Sequence, residues 1–183
     1  ATPPPGATVS KPRVVSSLHI IAGFFTTSPH FQQPSCRTLL GGIYLSSLDE
    51  NTGQISPPKR IVALQGAGFQ ALSPDGKSLI STTSSTEKPS GQMTIFSIGD
   101  GFKLTQTGQT STHGNGTCHV SFDQTGKVAM FANYGSGNIG SALVTADGSL
   151  GELASNFQHE GSSVNPQRQK GPHAHSIFPD PEN

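Results

Sequence analysis

The chain has 183 residues, 32% of them hydrophobic and 12% charged, with eleven basic residues against eleven acidic ones. Low charge argues against a disordered polyelectrolyte, and zero net charge removes any long-range pull toward nucleic acid or an anionic membrane. No run of 18 apolar residues predicts a membrane-spanning helix, while Gly (22) and Pro (14) make up about a fifth of the chain, a density suited to short strands and tight turns.

Residues 1–16 read as a Pro-rich, flexible arm without the basic-then-apolar order of a signal peptide; earlier removal of a signal stays open. From Ser17 the pattern is strand-like. Short apolar runs at 18–22, 42–45, 77–80, 93–98 and 128–134 are bounded by turn residues and rich in β-branched and aromatic side chains. No 3.6-residue apolar period lasts beyond two turns, so few or no helices are expected. Segments 28–37 and 84–91 read as surface loops. Cys36 and Cys118 make no framework and no metal-binding spacing, and both read as buried or incidental thiols.

Two half-repeats interleave along this stretch. The first is Ser73-Pro74-Asp75-Gly76-Lys77, echoed by Asp123-Gln124-Thr125-Gly126-Lys127 with the glycines 50 residues apart, and by a third copy over 177–183. The second is a strand followed by an Asp/Gly-rich turn, at 42–55, 93–104 and 138–151. Joined, they predict four antiparallel strands per roughly 50 residues, the unit of a β-propeller blade. A single β-sandwich is the alternative, and it requires three spaced turn motifs to coincide. The expected fold is all-β. Residues 17–183 would form an incomplete propeller of roughly three four-stranded blades plus the start of another, truncated at the C-terminus.

Most of the unusual polar residues fall in 159–175, which holds three His, one Glu, one Arg and one Lys, punctuated by Gly and Pro. The stretch reads as a loop joining the outer part of one blade to the inner strand of the next, where a rigid scaffold presents ionisable groups. Tyr134-Gly135-Ser136-Gly137 has no helix after it, so it reads as a tight hairpin turn and not as a phosphate loop. No Gly-x-Ser-x-Gly nucleophile motif occurs.

The run Arg168-Gln169 with Pro172-His173-Ala174-His175 resembles the signature loop of the seven-bladed propeller lactonases, the 6-phosphogluconolactonase-like family. Residues 116–127 and 132–138 are similar to the same family. The resemblance is dense from Gly114 onward, weaker over 42–104 and absent before Ser17; the Gly66–Phe69 region lacks the Asn-Pro-Ser-type turn of relatives, and 28–37 looks individual. The resemblance implies seven blades in all and hydrolysis of a sugar δ-lactone, 6-phosphogluconolactone in the namesake enzymes. Related propellers include a muconate-cyclising enzyme whose key His lies at the start of a strand, as His175 does; a non-catalytic binding propeller is the third reading.

An anionic lactone needs a cation to hold it and a group to move a proton. Arg suits the first task through its planar fork, and His the second because its pKa lies near working pH. His175, Arg168 and Glu160 are therefore the catalytic candidates, with Arg168 on the anion and Glu160 as a base or as a partner orienting a His. His119, His173 and Asn133 are the substrate-binding candidates, His119 because it precedes Gly126 much as His175 precedes Asn183. Each has a structural alternative. Arg168 would form an ion pair with Glu160 or Asp180, His175 would be buried against strand backbone, and His173 would stabilise a turn. His159 and Glu160 would be solvated loop residues, and Lys170 a solvated charge. The His173-Ala174-His175 spacing is read as setting the two imidazoles on opposite sides, and no third ligand has convincing spacing, so no metal and no cofactor is expected. The expected partner is a small anionic lactone, without nucleic acid or membrane, for a monomer in the cytoplasm or, after removal of a signal, outside the cell.

Overall fold

A computed structural model describes residues 41–182 in full and the backbone of 18–24. The predicted arm, the loop 28–37 and Cys36 lie outside the described residues. Eleven strands follow in order: β1 (Leu18–Phe24), β2 (Gly42–Leu48), β3 (Lys59–Ala63), β4 (Gln70–Leu72), β5 (Ser78–Ser84), β6 (Gly91–Gly99), β7 (Lys103–Ser111), β8 (Thr117–Phe122), β9 (Val128–Asn133), β10 (Asn138–Val144) and β11 (Leu150–Gln158). One short 3-10 turn, Asp100–Phe102, is the sole helical element among the described residues.

The strands form three antiparallel sheets in sequence order, β1-β2-β3, β4-β5-β6-β7 and β8-β9-β10-β11. The predicted turns are equivalent. Gly76 and Gly126 take φ of 69° and 70°, and each donates its N–H to the carbonyl of the residue three before it, Ser73 at 2.9 Å and Asp123 at 3.1 Å. A Cβ is strained in that region of φ, so glycine closes these hairpins. Asp75 braces its turn by accepting from the Ser73 hydroxyl and the Lys77 amide, which hold its carboxyl below the usual range. The second half-repeat closes the hairpins β2–β3, β6–β7 and β10–β11. By that correspondence β1 matches β5 and β9, so the first sheet has no described counterpart of the inner strands β4 and β8. It holds three described strands where four were expected.

Strand alternation explains the packing between sheets. On the middle sheet Leu79 and Phe96 face one way and pack with Ile43 and Ala67; Ile80, Met93 and Ile95 face the other way and pack with Val120, Phe122, Ala129, Phe131 and Ala142. The middle sheet is thus buried on both faces, and the hydrophobic core lies between sheets. Phe131 lies over Gly140, its partner on β10: a Cβ there would come 2.5 Å from the ring and 2.3 Å from the Ser155 carbonyl.

The third copy of the turn motif runs beside β8. The Ser121 hydroxyl donates to the Ile177 carbonyl at 2.8 Å, the Gln124 amide donates to the Pro181 carbonyl, and Asp180 accepts from the Glu182 amide at 2.8 Å, as Asp75 does from Lys77. Residues 174–181 lie parallel to β8 through side-chain contacts and not through a backbone ladder. Such a placement suits the inner strand of a following blade.

Two substitutions test the inter-sheet core. Phe131→Ala should lower the unfolding free energy in urea by about 3–5 kcal/mol, and Gly140→Ala by about 1–3 kcal/mol through overpacking. A loss below about 1 kcal/mol for Phe131→Ala would place the core elsewhere.

Candidate active site

The site is built at the end of the third sheet where β8 begins, β9 ends and β10 begins. There the hairpin Tyr134-Gly135-Ser136-Gly137 closes as a tight turn, with Gly137 at φ 73° donating to the Asn133 carbonyl at 2.9 Å. Beneath it Asn133 and Asn138 are buried, at 0% and 2% exposure. Asn133 uses its whole amide. Its oxygen accepts from the Thr112 and Thr117 hydroxyls at 3.0 and 2.6 Å, and its nitrogen donates to the Thr112 carbonyl and Asn138 Oδ1, both at 3.1 Å. Asn138 in turn donates to Asn156 Oδ1 at 2.7 Å and accepts from the Ser136 hydroxyl. Asn133 was expected to bind substrate. It is instead a structural residue with no donor or acceptor to spare, because the strand end that carries it turns its side chain inward.

The loop 159–172 sits on this hairpin. His159 donates its N–H to the Gly137 carbonyl at 3.2 Å, and a Cβ on Gly137 would come 2.3 Å from the Pro172 carbonyl. Asn165 organises the loop: its side-chain oxygen accepts from the Gln167 and Arg168 amides at 3.0 and 3.1 Å, and its own N–H donates to Gln169 Oε1 at 3.1 Å. These turns border an open cleft of about 270 Å³ lined by Ser163, Arg168, Gln169, Pro172 and His173, among others. Arg168 makes no ion pair among the described residues, neither with Glu160 nor with Asp180, and its side chain is exposed.

His173, on the cleft wall, stacks on Tyr134, with ring centroids 4.4 Å apart and planes 16° from parallel. Its Nδ1 lies 2.8 Å from the Tyr134 carbonyl. His175 meets the same ring edge-on, at 5.8 Å and 90°. The two imidazoles therefore lie on one side and not on opposite sides, because positions two apart along an extended chain share a face. His175 is exposed, so the alternative of a buried structural His does not hold for it, and it is not part of the cleft wall. His173 bonds the hairpin turn, at the Tyr134 carbonyl, through one ring nitrogen only.

His119 lies deeper. A register shift between Thr117 and His119 on β8 re-aims the side chains there, and Cys118 and His119 both meet the 174–177 segment. The Cys118 thiol donates to the His175 carbonyl at 3.4 Å. The His119 ring is 4% exposed, between Phe69 at 4.3 Å and Phe178 at 4.6 Å. The Ile177 N–H donates to its Nδ1 at 3.4 Å, so the neutral ring carries its proton on Nε2, a buried donor without a partner among the described residues. Burial, and then the nearby charge of His175, hold its pKa below the ordinary value. Glu160 is exposed, is not among the residues lining the cleft, and makes no hydrogen bond to any of these histidines. Sequence reasoning missed Tyr134, one of two tyrosines in the chain, whose signal was an aromatic side chain at the tip of a hairpin facing the His-rich loop.

The structure thus brings Arg168 and His173 into one cleft, His173 and His175 onto one ring, and His119 within electrostatic reach of His175. The family model "Lactonase, 7-bladed beta-propeller" matches residues 34–183. The chain belongs to this lactonase family. A 6-phosphogluconolactonase from Bacillus subtilis (strain 168) is 31% identical over 137 residues, covering 73% of this chain and 38% of that protein. Among solved structures, a putative 6-phosphogluconolactonase from Bacteroides fragilis NCTC 9343 superposes with a TM-score of 0.73 at 22% identity, covering 90% of this chain and 42% of its own. The periplasmic gluconolactonase of Pseudomonas aeruginosa gives 0.74 at 23% identity, with 88% and 44% covered. At those identities the two structures show a shared fold. The chain spans about two fifths of the length of each of these relatives, and the described sheets are blades of the family's propeller. Among the described residues no helix is long and apolar enough to cross a membrane.

The buried His119 makes stability depend on pH. Its folded pKa lies below the unfolded value of about 6.5, so the unfolded chain binds a proton that the folded chain refuses as pH falls through that range. Stability is full above about pH 6.5 and falls below it. Urea midpoints measured between pH 7.5 and 5.5 should drop toward acid, and His119→Phe should flatten the drop. An unchanged profile in His119→Phe would assign the acid sensitivity to other groups.

Proposed function

We propose that the protein hydrolyses an anionic sugar lactone, with 6-phosphogluconolactone as the first candidate. The observation that carries this reading is the cleft shared by Arg168 and His173, on the loop over the β9–β10 hairpin of a lactonase-family propeller. Arg168 is a cation without a protein counter-charge among the described residues, so its guanidinium is available to a phosphate or carboxylate. The imidazoles on Tyr134 supply the proton transfer, since a neutral imidazole at working pH can take a proton from water.

Water attacks the lactone carbonyl carbon and loses one proton to the imidazole. The ring C–O bond of the tetrahedral adduct then breaks, and the imidazole returns that proton to the departing ring oxygen. The product is an open-chain hydroxy acid, which releases its acid proton to solvent. The name of the Bacillus relative, a 6-phosphogluconolactonase, supports the substrate class. The proposed form is a monomer in the cytoplasm, where a phosphorylated lactone would be met; the Pseudomonas relative is periplasmic by its name, and fractionation of cells decides between the two compartments.

The anion contact gives a specific outcome. In the full-length protein, Arg168→Ala should raise KM for 6-phosphogluconolactone by about 10- to 100-fold with kcat little changed, because the contact exists in ground and transition states alike. The effect on unphosphorylated gluconolactone should be smaller. Equal losses on both lactones would remove Arg168 from anion binding, and binding of the lactone without turnover in the unsubstituted protein would favour a non-catalytic propeller.

A further inference from the structure

We infer that His173 is the proton acceptor of the cleft, ahead of His175, and that Tyr134 is the residue that positions it. The inference rests on the lactone-hydrolase reading and deepens it. Three observations carry it. First, the partner of His173 Nδ1 is a backbone carbonyl 2.8 Å away, and a carbonyl can only accept. Nδ1 therefore carries the ring proton, and Nε2 presents its lone pair with no partner among the described residues. A single tautomer with a free basic nitrogen is the state that general-base catalysis needs.

Second, the ring cannot swing freely. It is stacked on Tyr134 at 4.4 Å and 16°, and the stack and the hydrogen bond come from the same residue, so ring plane and tautomer are set together. Tyr134 is itself held, with its N–H donating to the Gly116 carbonyl at 2.9 Å while the buried Asn133 lies immediately before it. The chain before His173 is held as well, since Pro172 sits against Gly137 with no room for a Cβ. Third, His173 lines the cleft that Arg168 lines, and His175 does not. His175 touches Tyr134 through an edge at 5.8 Å, and its neighbourhood includes the His119 ring and the Cys118 thiol rather than the cleft wall.

The step assigned to His173 is the uptake of one proton from the attacking water at Nε2, with Nδ1–H kept on the Tyr134 carbonyl. The resulting imidazolium hands the Nε2 proton to the departing ring oxygen, and the neutral tautomer is restored.

The test pairs a spectroscopic readout with turnover in the full-length protein. Nitrogen-15 correlation spectra of the histidine rings should show His173 protonated on Nδ1 and pyridine-like at Nε2. Tyr134→Ala keeps the backbone carbonyl but removes the stack that aims the ring at it; the freed ring should move both His173 nitrogens toward averaged values and lower kcat about tenfold, and Tyr134→Phe, which keeps the stack, should restore both. His173→Gln should lower kcat by roughly 10²–10⁴-fold, and His175→Gln by less than about tenfold. A proton on Nε2, or a larger loss for His175→Gln than for His173→Gln, would overturn the assignment. So would a Tyr134→Ala variant with unchanged spectra and kcat. Absence of lactone turnover in the unsubstituted protein would overturn the hydrolase reading and the acceptor role with it, whereas the tautomer result would still decide whether Tyr134 positions the ring.

Discussion

Two buried amides, Asn133 and Asn138, hold the strand ends on which the candidate site stands. Between them they use every donor and acceptor they possess, on Thr112, Thr117, Ser136, Asn156 and one another. A buried amide is expensive to leave unpaired, on the order of 1–3 kcal/mol per group, so the network is specific in a way that apolar packing is not. Gly114 completes it: a Cβ there would come 2.3 Å from both Asn133 Nδ2 and Asn138 Oδ1. The backbone of 112–117 is thereby locked against the 134–137 hairpin, and the hairpin carries the His-rich loop.

The division of labour follows from propeller geometry. The two faces of the middle sheet are spent on packing against its neighbours, as Leu79 and Ile80 show by facing different cores. Chemistry is left to the inner edge and to the loops at the sheet ends. His119 marks the inner edge, wedged between Phe69 before β4 and Phe178 on the segment beside β8, so that three successive inner segments meet at one imidazole. Arg168 and His173 mark the loops. Arg168 and His173 line one cleft, and the imidazole there is stacked on Tyr134.

The blade architecture was legible because turns announce themselves. Gly76 and Gly126 are glycines for a local reason, positive φ, and their spacing repeats because the blade does. The loop 159–175 was legible as a candidate site from its composition and its family resemblance. What composition does not carry is direction. Asn133 looked like a polar residue near a site, yet it ends a strand whose neighbours demand a buried amide. The two imidazoles of His173-Ala174-His175 were read apart, although a period of two puts them together. Tyr134 was read only as part of a turn, because a stacking partner 39 residues away leaves no trace in spacing. Catalytic roles were assigned to His175, Arg168 and Glu160 from residue type and family resemblance; the cleft is lined by Arg168 and by His173, which was expected to bind substrate, and not by His175 or Glu160.

The dependence of the site on the buried amides can be measured by amide hydrogen exchange in Asn133→Leu. The amides of Tyr134, Gly135, Gly137 and His159 are held by backbone bonds at this end of the sheet. They should exchange roughly 5- to 150-fold faster in the variant, while the amides of β5 and β6 keep their protection, since the loss is local and of order 1–3 kcal/mol. Unchanged protection at those four amides, or a uniform rise across β5 and β6, would contradict the account: the hairpin and its loop would then be held by the core and not by the amide network.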